Sequence, residues 1–277
     1  MKYIYFALLA SAYLAVTTAP AFAQSGDDEW EGAYVGGSIG LAAQNNDRNE
    51  SVLFDTNLDG NFGDTVRTVA GVNAFSPGFC GGAANGRTPI EGCRGDSDGL
   101  EYNIRAGYDQ QNGNIVYGVL VEAGKNEARD SVSAFSTTPA FYYFTRELDY
   151  SVGARARLGY AAGGALFYGT GGVTYGKIEN EFETSNAANS FTNNGGTKSW
   201  GYSYGGGTEI KIAKNFSIGL EYLYTNYVDD DYRVSVGRGT APATNPFLLT
   251  NPSGTTMRRS DSDFDMHNIR ITTAFRF

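Results

Sequence analysis

The stretch LDYSVGARARLGY, residues 148–160, sets Leu148, Tyr150, Val152, Ala154, Ala156, Leu158 and Tyr160 on one face of an extended chain. Asp149, Ser151, Gly153, Arg155, Arg157 and Gly159 fall on the other. A period of two is the mark of a β-strand, and here it separates apolar from charged side chains. The same contrast returns in NFSIGLEYLYTNY (215–227), where Phe216, Ile218, Leu220, Tyr222 and Tyr224 oppose Ser217, Gly219, Glu221, Leu223 and Thr225. HNIRITTAFRF (267–277) sets Ile269, Ile271, Thr273, Phe275 and Phe277 against Asn268, Arg270, Thr272, Ala274 and Arg276. Five further stretches read as strands: AYVGGSIGLA, LEYNIRAGYDQ, NIVYGVLVEAG, GALFYGTGGVTYGK and SWGYSYGGGTEIKI. No helical periodicity stands out, and 37 Gly, 19 Tyr and 17 Phe beside 7 Pro are unlike an ordinary soluble globule.

The connections between these eight segments alternate in length. QNGN (111–114), AAGG (161–164) and AKN (213–215) are turn-sized, whereas the other four run from about 20 to more than 50 residues. Tight turns at one end and long loops at the other predict an all-β fold: an eight-stranded antiparallel up-and-down transmembrane barrel with long extracellular loops. A soluble lipocalin-like barrel would turn its apolar face inward; here the charges oppose the aromatics. Eight strands leave an interior only wide enough for side chains to fill, and charges there need partners. The strand phases place six carboxylates inside, Glu101, Asp109, Glu122, Asp149, Glu209 and Glu221, with six cations, Arg105, Arg155, Arg157, Lys211, Arg270 and Arg276. The expectation is a lumen plugged by ion pairs. Phase is least defined in LFYGTGGVTYG, where glycines fall on both faces and a bulge or close packing can interrupt alternation.

Taken together, WEGAYVGGSIGLA, GYDQQNGNIVYGVLVEAG, ARARLGYAAGGALFYGTGGVTYG, GYSYGGGTEIKIAKNFSIGLEYLYTNY and NIRITTAFRF resemble the small outer-membrane β-barrel family of α-proteobacterial surface antigens, the opacity-like or porin-like barrels. The resemblance covers nearly all the proposed strands and lies in their ensemble, not in one motif. It implies insertion by the outer-membrane assembly machinery, with Phe277 as part of the recognition signal, and a surface or structural role. The pore implied by the porin label conflicts with a plugged lumen.

Upstream of the strands, Lys2 precedes an apolar run that ends in TAPAFAQ. This pattern predicts a secretory signal over 1–23, cleaved after Ala23, and a barrel unit over 24–277 with a long first loop at about 44–99. Cleavage removes Lys2, the leader's one charge, and takes the formal charge from -9 to -10. Nucleic acid is excluded as a partner on that ground; outer-membrane lipid, lipopolysaccharide, the assembly machinery, peptidoglycan and a host surface remain as partner classes. Cys80 and Cys93 lie close together in an exported, Gly-rich segment, which predicts a disulfide.

That first loop contains FDTNLDGNFGD (54–64), in which Asp55, Asn57, Asp59 and Gly60 match the first half of an EF-hand calcium loop. The second half fails, because position 12 is Val66. Two readings stand. In one, Asp64 completes a different calcium cage, joined by Asp96 and Asp98 of RGDSDG through the disulfide. In the other, the stretch is a polar turn of Asp, Asn and Gly. No cofactor is required by either strands or turns.

Several short motifs invite a functional reading. GGVTYGK (171–177) has phosphate-loop spacing but carries Ile178 where Ser or Thr is needed and has strand character. RGDS (94–97) suggests adhesion, though a tripeptide arises readily by chance. His267, the one histidine, is a haem or metal ligand candidate or a polar interfacial residue. Trp30, Trp200 and the tyrosines fit aromatic girdles at the membrane surfaces. No nucleophile is paired with a base in a pattern that requires catalysis. The reading is a non-enzymatic outer-membrane barrel that supports the envelope and displays its loops, with a small-solute pore as the alternative and an adhesin or ligand-binding receptor behind it.

Overall fold

Two-faced segments of this length satisfy their backbone groups only by pairing with one another, and in a membrane only a closed sheet leaves no edge unpaired. The computed structural model, which describes residues 29–44 and 49–277, shows that closure. The predicted leader, its cleavage point and Gln24 lie outside the described residues. The barrel strands are β1 (Gly32–Gln44), β2 (Gly99–Asn112), β3 (Ile115–Asn126), β4 (Ala140–Ala162), β5 (Ala165–Thr184), β6 (Thr197–Ala213), β7 (Phe216–Val228) and β8 (Asp263–Arg276). Each pairs antiparallel with the next, and β8 pairs with β1 from Tyr34↔Arg276 to Gln44↔Met266, which completes the ring. The chain therefore folds as an eight-stranded up-and-down transmembrane β-barrel.

Two-residue turns join β2 to β3, β4 to β5 and β6 to β7. Gly113 and Gly163 take φ of 60° and 59° there, a left-handed conformation that glycine adopts without a Cβ clash. The outer wall carries Val35, Ile39, Ile104, Val119, Leu158, Val173 and Ile271, all exposed, with Tyr108, Tyr117 and Tyr160 toward the short turns and Tyr150, Trp200 and Tyr202 toward the long loops. An apolar band flanked by aromatic girdles is the pattern a barrel presents to lipid.

One irregularity changes the phase. Across β4 and β5 the register shifts between Lys177 and Ile178, so that Lys177 opposes Tyr150 while Ile178 opposes Leu148 and Asp149 is the extra residue. A bulge of this kind reverses which face the following residues occupy. Leu148, read from alternation as lipid-facing, is buried in an inward cluster with Ile178, Tyr227, Phe264 and Met266. The bulge lies on β4; in β5 Leu166, Tyr168 and Thr170 point inward in unbroken alternation.

Beyond the long-loop end, β4 and β5 continue as a paired two-stranded ribbon. The strand Arg129–Ser136 adds to β4, and Gly78–Gly81 adds to that strand. Opposite them lies a second sheet ordered Ser190–Asn193, Val234–Gly237, Thr255–Arg259, Val52–Asp55. Between the two layers sits an apolar core including Phe54, Phe75, Val132, Tyr142, Phe144, Tyr232, Val234, Phe247 and Met257. All four long loops contribute, because Phe191 of the third packs against this core. They form one folded cap, held further by the Cys80–Cys93 disulfide, whose Cα atoms are 6.6 Å apart.

Candidate functional site: lumen plug and extracellular cap

Inward positions recur every second residue, so neighbouring antiparallel strands bring their charges to one level. Arg105 of β2, Arg155 and Arg157 of β4, and Arg270 and Arg276 of β8 meet Glu101 and Asp109 of β2, Glu122 of β3, Glu209 of β6 and Glu221 of β7. Glu221 is the hub: its carboxylate lies 2.7 Å from Arg270, 3.3 Å from Arg155 and 3.4 Å from Arg105. Tyr168 adds a hydroxyl donor to Glu221 at 2.9 Å. Glu122 bridges Arg155 at 2.9 Å and Arg270 at 2.8 Å, and Arg270 reaches Glu101 at 3.0 Å. Toward the short-turn end, Asp109 pairs with both Arg157 and Arg276, while Glu209 accepts from Arg157 at 2.7 Å. Five cations face five carboxylates, all ten with buried or nearly buried side chains. Pairing of this density offsets the desolvation of each charge.

Aromatic rings close the stack. Arg157 lies 4.9 Å from the Tyr34 ring and 5.2 Å from that of Tyr168; Arg276 lies 4.9 Å from Tyr34 and 5.7 Å from Trp30. Such contacts stabilise a guanidinium that has lost water. The lumen has room for these rings because glycines face them. A Cβ at Gly107 would lie 2.4 Å from Tyr34, and one at Gly207 would lie 2.8 Å from the Tyr168 hydroxyl. Trp30, expected in a girdle, is wholly buried at the short-turn mouth, where its ring nitrogen donates to the Gly163 carbonyl at 3.3 Å. Sequence reading placed Trp30 in a girdle and did not single out Tyr34 or Tyr168 for the lumen; the inward parity of those two tyrosines was the available signal.

Two residues expected in the network stand outside it. Asp149 is the bulged residue of β4 and pairs with Lys177 on the outer wall at 2.7 Å, partly exposed. Lys211 sits at the short-turn rim, 5.2 Å from the Trp30 ring, and donates to the Glu29 carbonyl. Its strand phase is inward, but its position along β6 puts it beyond the carboxylates. His267 lies on the outer wall between Tyr222 and Tyr224, with Nδ1 2.7 Å from the Tyr222 hydroxyl. Phe277 is 72% exposed beside Phe275, at the β8–β1 seam.

In the cap, the acidic loop closes on itself. Asp55 accepts from the backbone of Leu58 at 2.7 Å and of Gly60 at 2.9 Å. Asp59 accepts from the Asn57 side chain at 3.0 Å, and Asp64 from the Thr56 backbone at 2.9 Å. Asp98 accepts from Gln44 N–H and Asp96 from Ser131 N–H, so neither joins that turn. Calcium needs six or more converging oxygens, and among the described residues no three of His, Cys, Asp and Glu gather as metal ligands. In this arrangement the acidic side chains serve the turn's own donors. In RGDS, Arg94 is exposed while the Asp96 carboxylate is turned into the protein.

The cap has its own buried ion pairs, which no loop motif announced. Arg259 makes a fork to Glu50, both contacts at 2.7 Å, and reaches Asp130 at 2.6 Å; Arg146 reaches the other oxygen of Asp130 at 2.6 Å. Burial raises the Asp130 carboxyl, but Arg259 and Arg146 outweigh it and hold the group below its usual range. Asp96 is different: burial, then the charge of Asp130, pushes it up to about 7. A carboxyl raised in the folded state keeps its proton between about 4, its unfolded value, and 7. The cap therefore gains stability as pH falls through that window and loses it as pH rises. Discounted for the solvent-open side of the group, the change is on the order of 1 kcal/mol. We expect the urea midpoint of the cap, followed by near-ultraviolet circular dichroism, to rise from pH 7.5 to 5, with a flatter profile in Asp96→Asn. Equal profiles would show that Asp96 does not carry the effect.

Comparison with known proteins follows the same lines. The family model described as "Outer membrane protein beta-barrel domain" matches residues 8–241. The 22 kDa outer membrane protein of Rhizobium leguminosarum bv. viciae is 28% identical over 159 residues, which cover 57% of this chain and 67% of that protein. The 31 kDa outer-membrane immunogenic protein of Brucella melitensis biotype 1 is 27% identical over 232 residues, covering 81% and 85%. Among solved structures, the outer membrane protein OprG of Pseudomonas aeruginosa superposes with a TM-score of 0.52 at 12% identity, covering 91% of this chain and 99% of that one, a likeness of fold.

Proposed function

Because the chain belongs to the outer membrane protein beta-barrel domain family and resides in the outer membrane, we propose that its barrel is a non-conducting, non-enzymatic anchor whose work is to hold the folded cap at the cell surface. The observation that carries this is the plug. Ten charged side chains pair across a lumen already narrowed by Tyr34, Tyr168 and Trp30. A solute or ion would have to separate several of these pairs in a poorly hydrated space, where breaking one pair costs about 3–5 kcal/mol.

Surface display is supported by how the loops are made. Peripheral loops of a purely structural barrel need no common core, whereas here four loops bury one together. Planar-bilayer recording on the refolded chain from Gln24 to Phe277, with the barrel verified by heat-dependent gel mobility, tests the reading. A silent membrane is expected. Discrete, reproducible channels would overturn the plug and make passage of small solutes the function instead.

A further inference from the structure

Where residues 229–233 run into Val234–Gly237 and residues 258–262 run out of Thr255–Arg259, a cleft of about 180 Å³ is lined by Asp229, Asp230, Tyr232, Arg233, Arg258 and Ser260. Three of these side chains each leave a buried polar atom without a hydrogen-bond partner: Nε of Arg258, the hydroxyl of Tyr232 and Oδ2 of Asp229. Tyr232 is 3% and Asp229 6% exposed, so bulk water reaches neither group freely. Buried polar atoms are normally paired, and three exceptions around one cleft point to a ligand with matching groups.

The charges agree. Arg233 and Arg258 converge on Phe62 of the first loop, their guanidinium carbons 4.9 and 4.6 Å from the ring centre. Among the described residues neither makes an ion pair with a carboxylate. Arg233 donates instead to the backbone carbonyls of Asp230 and Tyr232. Burial, then the neighbouring Arg258, pushes Arg233 below its ordinary range, although Asp230, Asp231 and Asp229 act in the other direction. Two arginines that line one cleft and feel each other's charge are suited to an oxyanion bound there, the group that arginine's fork favours.

We propose that this cleft binds a phosphorylated sugar. The phosphate ester lies between Arg233 and Arg258, accepting from Arg258 Nε and the Tyr232 hydroxyl, and a sugar hydroxyl donates to Asp229 Oδ2. Asp229 excludes a plain anion as the best ligand, since a buried acceptor left facing a phosphate is repelled, whereas a hydroxyl satisfies it. The cleft is small for a drug-sized ligand and suits one sugar with its ester. The assignment concerns the cap alone and goes beyond its display.

The test is calorimetric titration of the refolded chain in neutral detergent at low salt with glucose 6-phosphate, glucose and inorganic phosphate. Glucose 6-phosphate should bind and glucose should not. Arg258→Gln and Arg233→Gln should each weaken binding by about tenfold or more, and Tyr232→Phe less. Asp229→Asn should weaken glucose 6-phosphate while strengthening inorganic phosphate, because the repelling charge is removed. Every variant is first shown folded by its gel mobility, and Tyr232→Phe and Asp229→Asn preserve shape if an arginine variant fails. No heat for glucose 6-phosphate, or equal binding by Arg258→Gln, overturns the site and leaves a hydrated cleft. Inorganic phosphate binding as tightly, with Asp229→Asn inert, overturns the sugar assignment. Repeating the titration in nanodiscs containing lipopolysaccharide separates the sources: competition assigns the site to the membrane's own phosphorylated glycolipid, and its absence assigns it to a soluble or foreign sugar. Conductance is read separately, so failure here leaves the plugged-anchor reading to its own test.

Discussion

Replacing Glu221 with Gln lowers the unfolding free energy of the barrel by about 3–5 kcal/mol, the range for removing one partner from a buried ion pair. The magnitude follows from position, since this carboxylate is shared by Arg105, Arg155 and Arg270 and also accepts from Tyr168. Its side chain is fully buried. With Gln in place, five guanidinium groups face four carboxylates, and water does not compensate at that depth. Tyr168→Phe removes one hydroxyl and should cost about 1 kcal/mol; Glu221→Gln should exceed it clearly. Urea titration of the barrel folded into lipid vesicles, followed by tryptophan fluorescence, measures both. A loss below about 1 kcal/mol for Glu221→Gln would mean that the lumen is wet and the charges are screened.

Phe75→Ala should cost the cap about 3–5 kcal/mol and leave the barrel standing. Phe75 is 3% exposed and touches Phe54 at 4.4 Å, Tyr142 at 5.3 Å and Phe247 at 5.8 Å between ring centres. It joins the first loop to β4 and to the fourth loop, so truncation opens a cavity where three segments meet. The barrel is stabilised by its own hydrogen-bond ladder and by lipid, so the damage should appear as local unfolding. Limited proteolysis of the folded variant should cut the loops rapidly while heat-dependent gel mobility stays that of the intact protein. Resistance equal to the unsubstituted chain would show that the loops do not share a core. Loss of the gel shift would show that cap and barrel fold as one unit.

The strands and their lipid face were legible because a barrel wall stands between two unlike environments, and the chain must alternate to satisfy both. That is why LDYSVGARARLGY declared its arginines inward, and why ten of the twelve charges assigned to the lumen meet there in the structure. Asp149 escaped because one inserted residue reverses parity, and nothing in DYS marks which residue is extra. Lys211 escaped because phase gives the face and not the depth. The acidic loop shows how one spacing serves two ends. Its spacing suited calcium, yet the same spacing lets Asp55, Asn57 and Asp59 cap the turn's own N–H groups.

By itself, then, the amino-acid sequence determined the barrel, its strand number, its polar interior and the pairing of Cys80 with Cys93, all features encoded by local periodicity or close spacing. The cap was decided only by tertiary structure. Its strands are two to eight residues long, too short for a period to show, and they find partners far along the chain, as when Phe54 pairs with Met257. The buried fork from Arg259 to Glu50 and the meeting of Phe62 with Arg233 and Arg258 likewise join loops far apart in sequence. Contacts of that kind arise from which loops the closed ring brings side by side, and ring closure is a property of the whole barrel that no single segment carries.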